Sequence, residues 1–404
     1  MTGATIDHLI SVTILIAALL VAMMTFNGLF ASAIDYDRNR QVANKAIDIM
    51  NTICLSPGSP TDWGETNDTV LGFGLQDPRV GGYALSPYSI MRLRTSNDSQ
   101  LIEYVYTPGV FYNNLSAYYG NSILTSVGDC VNYTSATELL GINGTYGFSV
   151  DITPTLNVSI SQVPNDHLTL KVDVRGSGLP LSDATLKYFL FHVDTGGVNY
   201  PMFMIYSGVA QSDSFGSALL DFSSVDDTDA YTFMVYASLS GLNGVGYYSQ
   251  DDVTDGHEFL LPLIRDFDSG TIIIAHNWDV HYFGPPEPNV FYNASFFVLT
   301  SDFQLQQVEI ANSTQNINYG VGKPYWTTQL PTSEVGFLFI SYRWGNQLGS
   351  VILPWGVGVL GVHSSFSAGF GSSSGYDFVA TELRQVTIDG ISYQVKVSTW
   401  SLGD

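Results

Sequence analysis

Two spacings of apolar residues divide this chain. From Leu9 to Phe30 no charged side chain occurs, and no proline interrupts residues 1 to 56. About 20 apolar residues in helical form cross the roughly 30 Å hydrocarbon layer of a bilayer, so this run predicts a membrane-spanning helix. The helical pattern continues past it, because Val42, Ala46, Ile49 and Ile53 return at three- and four-residue steps between polar positions. An unbroken helix from Ile6 to Leu55 would be roughly 75 Å long. Pro57 and Gly58 are expected to end it, since neither residue type readily continues a helix. Gly28, beside Asn27, is the expected kink.

Beyond residue 56 the period shifts towards two. Residues 56–160 predict a small α+β head. It has a Pro- and Gly-rich opening, a short helix over Ser86–Leu93 with Pro87 in its first turn, strands over Leu101–Thr107 and Thr145–Ile152, and a helical turn over Ala136–Leu140. Over residues 161–255, Leu168, Leu170, Val172 and Val174 share one face of a strand. Thr185–Val193, Tyr200–Tyr206, Ala218–Phe222 and Tyr231–Ala237 read as further strands, which together suit an antiparallel sandwich. Residues 256–404 carry alternating or apolar stretches at Thr271–Ala275, Val290–Leu299, Gln304–Ile310, Val335–Tyr342, Val351–Val362 and Ile391–Thr399, and a second sandwich or jelly roll fits them. The expected fold class is mainly β: a long N-terminal membrane helix over residues 1–55, the small α+β head, then two β-sandwich domains.

Charge and small motifs narrow the compartment. The 404 residues include 37 acidic and 14 basic side chains, for a net charge of −23, which argues against nucleic acid as a partner. No Lys or Arg precedes the span while Arg38, Arg40 and Lys45 follow it. The positive-inside rule taken alone would hold the bulk of the chain in the cytoplasm. That rule is weak for long translocated domains, and Asp35 and Asp37 sit among the basic residues, so the N-terminus is expected inside and the bulk outside. Ala31-Ser32-Ala33 has the pattern of a signal-peptidase site. Against cleavage stand the missing N-terminal basic residues and an apolar core longer than secretory signals use.

Eight Asn-X-Ser/Thr sequons, at Asn67, Asn97, Asn114, Asn132, Asn143, Asn157, Asn293 and Asn312, all follow the helix and are candidate glycosylation sites. Cys54 and Cys130 are the only cysteines. In an exported chain they are expected to form one disulfide, which would staple the end of the long helix to the head; the alternative is two small buried thiols.

No constellation for catalysis stands out. His276, Asp279 and His281 are zinc-ligand types, but on a strand the two histidines face opposite ways. Asp251, Asp252, Asp255 and Glu258 approach a calcium-loop spacing, with Val253 where an oxygen ligand belongs; Asp226, Asp227 and Asp229 form a similar acidic turn, and both read as solvated loops with loosely held calcium as the alternative. Gly-x-Ser-x-Gly, His-Glu-x-x-His and a phosphate-binding Gly-rich loop with Lys are absent from the sequence. No enzyme activity, cofactor or metal is expected.

Parts of the chain resemble known families. Gly3-Ala4-Thr5-Ile6-Asp7, the uninterrupted helix, Leu55-Ser-Pro-Gly-Ser-Pro-Thr-Asp-Trp-Gly64, Gly72-Phe-Gly-Leu75, Leu85-Ser-Pro87 and Gly147-Phe-Ser-Val-Asp-Ile152 make residues 3–155 similar to archaeal type IV pilin-like proteins with class III signal peptides. The resemblance implies processing between Gly3 and Ala4, although Thr2 stands where that family has a basic residue. It also implies a filament in which sibling helices pack together. Asp7 would then meet a neighbour's N-terminal amine, or sit among head groups if the helix stays alone, and Ala18 and Ala22 would permit close helix approach. Residues 161–255 resemble immunoglobulin-like modules of surface proteins through Gly178-Leu-Pro-Leu-Ser-Asp-Ala184, Ser214-Phe-Gly-Ser-Ala218 and Tyr231-Thr-Phe-Met-Val-Tyr-Ala237. The expected function is a non-enzymatic, extracellular pilin-like subunit or surface glycoprotein, with a monomeric membrane-anchored adhesin or glycan-binding protein as the alternative. The expected partners are membrane lipid, sibling subunits, and glycans or other surface proteins.

Overall fold

The computed structural model describes residues 2–66, 68–93, 101–103, 111–113, 130–164, 167–194, 201–250, 260–266, 271–276, 290–308, 325–329, 335–344, 347–355, 364–367, 376 and 378–403. The chain opens with one continuous helix, α1 (Thr2–Leu55), which runs through Gly28. The head contributes α2 (Pro87–Met91), β1 (Leu101–Glu103), β2 (Phe111–Asn113), α3 (Tyr133–Leu139) and β3 (Tyr146–Pro154). Next come β4 (Leu156–Val163), β5 (Leu168–Gly176), β6 (Leu179–Pro180), β7 (Thr185–Asp194), β8 (Met202–Gln211), β9 (Ser217–Phe222), β10 (Tyr231–Leu239) and β11 (Leu242–Gln250). The last stretch holds β12 (Leu260–Asp266), β13 (Thr271–His276), β14 (Val290–Leu299), β15 (Leu305–Val308), β16 (Tyr325–Gln329), β17 (Gly336–Trp344), β18 (Gln347–Trp355), β19 (Ser364–Phe366), β20 (Val379–Ile388) and β21 (Ile391–Ser401). The chain is mainly β, with antiparallel sheets arranged as sandwiches behind a long apolar helix.

The C-terminal half of α1 is a docked helix. Val42, Ala46, Ile49, Met50, Ile53 and Cys54 are all buried, at the three- and four-residue steps that keep side chains on one helix face. The helix packs against β20 and β21: Ile49, Met50, Ile53 and Cys54 share one core with Phe148, Val150, Ile152, Tyr393, Val395 and Val397, while Val42 and Ala46 form a small separate cluster with Ala380 of β20. Full burial of a Val, Ile or Met side chain stabilises by roughly 1.5–3 kcal/mol, so this stripe fixes the helix to the sheet. The helix ends as its sequence requires. Ile53 O accepts from Leu75 N at 2.9 Å and Ser56 O from Gln76 N at 2.9 Å, which satisfies backbone oxygens at the end of the helix. Gly58 turns the chain at φ +84°, where a Cβ would strike Gly72 O and the Trp63 ring at 2.7 Å.

In the head, Ser86 caps α2 by accepting from Ser89 N at 3.2 Å, and Asn132 caps α3 by accepting from Ser135 N at 2.9 Å. The buried Arg92 donates to Trp63 O, to Thr66 O at 2.9 Å and to Asp68 O at 3.3 Å, and its guanidinium lies 5.4 Å from the Trp63 ring. It ties the 63–68 loop to the end of α2.

Strand pairing cuts across the boundaries expected at 160 and 256. The helix rests on the sheet β19-β3-β21-β20, in which β3 of the head pairs with β21 from Tyr146↔Ser401 to Pro154↔Tyr393. The last hairpin thus joins the head and leaves the third unit, because its alternating Tyr393, Val395 and Val397 complete the surface that α1 covers. A further sheet, β1-β2-β12-β13-β16, also joins head strands to strands after 256.

The segment from β4 to β11 is a sandwich. One sheet holds β4, β5 and β9 with the short β6, and the facing sheet runs β11-β10-β7-β8. These two sheets of antiparallel strands, with their connections passing between sheets, form an immunoglobulin-type arrangement. Leu168, Leu170, Val172 and Val174 of β5 fill the space between them together with Leu190, Phe233 and Val235. Gly244 and Gly246 let β11 lie directly on β4, since a Cβ at either would come within 2.7 Å of Leu156 or Val158.

A third sheet, β15-β14-β17-β18, covers the outer face of the second. Phe191 stacks on Phe339 at 4.6 Å and meets Phe297 at 5.3 Å edge-on, while Phe203 meets Phe339 at 4.9 Å. Thr232 and Ser350 hydroxyls bond at 2.8 Å within this interface. Strand β10 is consequently buried on both faces from Tyr231 to Ala237.

The expected disulfide does not form. Cys54 and Cys130 are not bridged. Cys54 points inward from the last turn of α1 with its Sγ 3.5 Å from Met50 Sδ, wholly buried, whereas Cys130 is half-buried beside the start of α3. Burial raises the Cys54 thiol pKa to about 11, with Arg384 pulling weakly the other way.

Three outcomes follow for experiment. Replacing Arg92 with Met should cost about 2 kcal/mol by stranding the buried Trp63 carbonyl, visible as a lower urea midpoint; an unchanged midpoint would contradict this role. A fragment ending at residue 160 should fail to fold, by circular dichroism and limited proteolysis, because β3 loses β19 and β21; a protease-resistant fragment would show the head to be autonomous. Alkylation of the native protein should modify Cys130 and spare Cys54 until the chain unfolds, and peptide mapping should find no 54–130 crosslink.

Candidate functional site

The candidate site is α1 and its junction with the β domain. One helix in the described residues is long and apolar enough to cross a membrane, with a mean hydropathy of 2.6 in its most apolar window and none of that window buried. Leu9, Leu15, Val21, Met24 and Phe30 are each 60–74% exposed, and the charge-free stretch extends to Ile34. Inside this stretch Thr13, Thr25 and Ser32 return their hydroxyls to the carbonyls of Leu9, Val21 and Gly28 at 2.8–2.9 Å, so their polarity is absorbed by the helix. The first buried position is Val42.

Around Asp35–Gln41 the helix leaves the sheet. Arg38 donates to Ser401 Oγ at 3.2 Å, and Asp37 accepts from Gln41 Nε2 at 2.9 Å. A cleft of about 500 Å³ opens on one side, walled by Asp35, Arg38, Val42, Tyr376, Phe378 and Leu402. Another of about 540 Å³ opens between Phe30, Ile34, Asp37, Gln41, Tyr146 and Ser401. Tyr376 stacks on Trp400 at 5.4 Å, which fixes one wall to β21.

Ala18 and Ala22 lie on the exposed part of α1, one turn apart. Gly3, Ala4 and Asp7 belong to its first two turns. Of the sequons, Asn143 and Asn157 are exposed, Asn132 is the half-buried cap of α3, and Asn293 is half-buried on β14; Asn67, Asn97, Asn114 and Asn312 lie outside the described residues. His276 ends β13, and Asp279, His281, Asp251, Asp252, Asp255 and Glu258 lie outside the described residues.

The acidic turn at 226–229 has a structural use that its spacing did not reveal. Asp229 accepts from His192 Nε2 at 3.0 Å and Asp226 N at 3.1 Å, and Asp227 O accepts from Gln162 and Gln250 at 2.7 and 2.8 Å. Among the described residues no three His, Cys, Asp or Glu side chains gather as a metal site. The clefts at Arg38 were not legible in sequence, since Tyr376, Phe378 and Leu402 reach the helix only through β20 and β21.

No family model and no curated protein matches this chain. Among solved structures, a trypsin-activated alpha-2-macroglobulin from Escherichia coli is similar over 57% of this chain and 18% of its own, at 13% identity and a TM-score of 0.20. The chain therefore spans less than a fifth of that protein's length. A two-domain fibronectin type III segment of chicken tenascin matches 50% of this chain and 99% of its own, at 13% identity and a TM-score of 0.17. The D0–D1 domain of intimin matches 54% and 99%, at 11% identity and a TM-score of 0.16. At such scores the likenesses are too slight to bear on function, and the immunoglobulin-type description rests on strand pairing alone.

Proposed function

We propose that this protein is a non-enzymatic surface protein, held in a membrane by the exposed half of α1 and displaying its β domains on the outer side. One observation carries the reading: α1 changes surroundings within a single helix, bare and apolar up to Ile34, docked from Val42 onwards. Apolar side chains in that number left in water would be costly, and a bilayer is the solvent that matches a charge-free run of this length. The β domains then serve as a spacer or binding module.

A second reading, a pilin-like filament subunit, is favoured by Ala18 and Ala22, which leave room for a sibling helix on the bare half of α1. Asp7 would take part there through a neighbour's amine, and processing after Gly3 would precede assembly.

Protease added to intact cells should remove the chain beyond the junction and leave a helix-sized fragment in the membrane. Full protection of residues 60–404 would reverse the topology. Replacing both Ala18 and Ala22 with Phe separates the two readings: a lone anchor still inserts and the β domains stay on the surface, whereas a filament would be lost.

A further inference from the structure

Anchoring by α1 brings a defined part of the β domain to the bilayer surface. The charge-free stretch ends at Ile34 and Arg38 follows four residues later, about 6 Å further along the helix. That distance is close to the depth of one headgroup layer, half of the roughly 10–15 Å by which a whole bilayer exceeds its hydrocarbon core. At this level the protein presents Tyr36, Tyr376, Phe378 and Leu402, which are 71%, 41%, 36% and 44% exposed. Aromatic side chains favour this depth, where a ring can lie in the apolar boundary and a hydroxyl in water.

Arg38 is the charged group of the arrangement. It bonds to Ser401 Oγ and makes no ion pair among the described residues, so its remaining guanidinium donors face the two clefts that flank the helix. Asp35 lines one cleft and Asp37 the other, and Asp37 is engaged by Gln41. Arg38 is the cation that lines both clefts, and its guanidinium donors complement the phosphate of a lipid.

Resting on the anchoring reading, we infer that the clefts beside Arg38 are a lipid-headgroup seat. The phosphodiester of a lipid in the adjoining leaflet binds the guanidinium, while Tyr36, Tyr376, Phe378 and Leu402 lie in the interface. The base of the β domain rests on the membrane at this seat, and α1 alone no longer sets its tilt.

The test uses the full chain in lipid nanodiscs, in a Cys130→Ser background, with a bimane label at Leu402→Cys, at Leu219→Cys on the exposed face of β9, or at Leu19→Cys within the span. Nitroxides on lipid headgroups should quench Leu402→Cys far more than Leu219→Cys, and nitroxides on acyl chains should quench Leu19→Cys. Arg38→Gln should lower the phosphatidylglycerol that stays bound through detergent purification about fivefold, and Arg38→Lys should restore most of it. Equal headgroup quenching at 402 and 219, with Leu19→Cys quenched, would overturn the seat and leave the anchor intact. Lack of quenching at Leu19→Cys would overturn both. A crosslink from Leu402→Cys to Leu19→Cys of a second copy, in place of headgroup quenching, would assign the clefts to a sibling helix.

Discussion

Burial of the Val42–Cys54 stripe of α1 against β20 and β21 is the contact on which the remaining architecture hangs. The stripe is short, but the surface it meets is assembled from distant parts of the chain, because β3 and β21 must pair before there is a sheet to cover. The same contact ends the helix properly, since the segment at Leu75–Gln76 that satisfies its last carbonyls is held in that core. With that end fixed, the rest of α1 is left bare, and its direction relative to the β domain is set by packing at the docked end. Arg38, bonded to Ser401, sits next to this docked end.

The immunoglobulin-type sandwich is not an isolated bead. Its β11-β10-β7-β8 sheet has two working faces, one packed on β5 and β9 and the other on β14, β17 and β18. The aromatic contacts of Phe191 and Phe203 with Phe297, Phe337 and Phe339 fill that second interface. Three stacked sheets thus bury β10 on both faces.

Several polar features that invite chemistry when met in sequence turn out to hold the fold. The Asp226–Asp229 turn is occupied by His192, Gln162 and Gln250. Cys54 packs as a small apolar group against Met50. In each case the side chain types are those of functional sites, and the partners, distant in sequence, decide the use.

The sequence by itself determined whatever local periodicity controls. The long helix, its bare and striped parts, its end at Pro57–Gly58, the short helix starting at Pro87, and the strands β5, β7, β9, β10 and β14 were all legible, because helix and strand periods are written in neighbouring residues; the caps supplied by Ser86 and Asn132 were not. The split of the chain into units was not. Strand partners are chosen by which apolar faces remain uncovered after collapse, and Tyr393, Val395 and Val397 find theirs on β3 and α1, some 240 or more residues back in the sequence. The same physics settled the cysteines and made the clefts at Arg38. A thiol's partner and a cleft's walls depend on positions in space, and only the tertiary structure decided which side chains β20 and β21 carried to the helix.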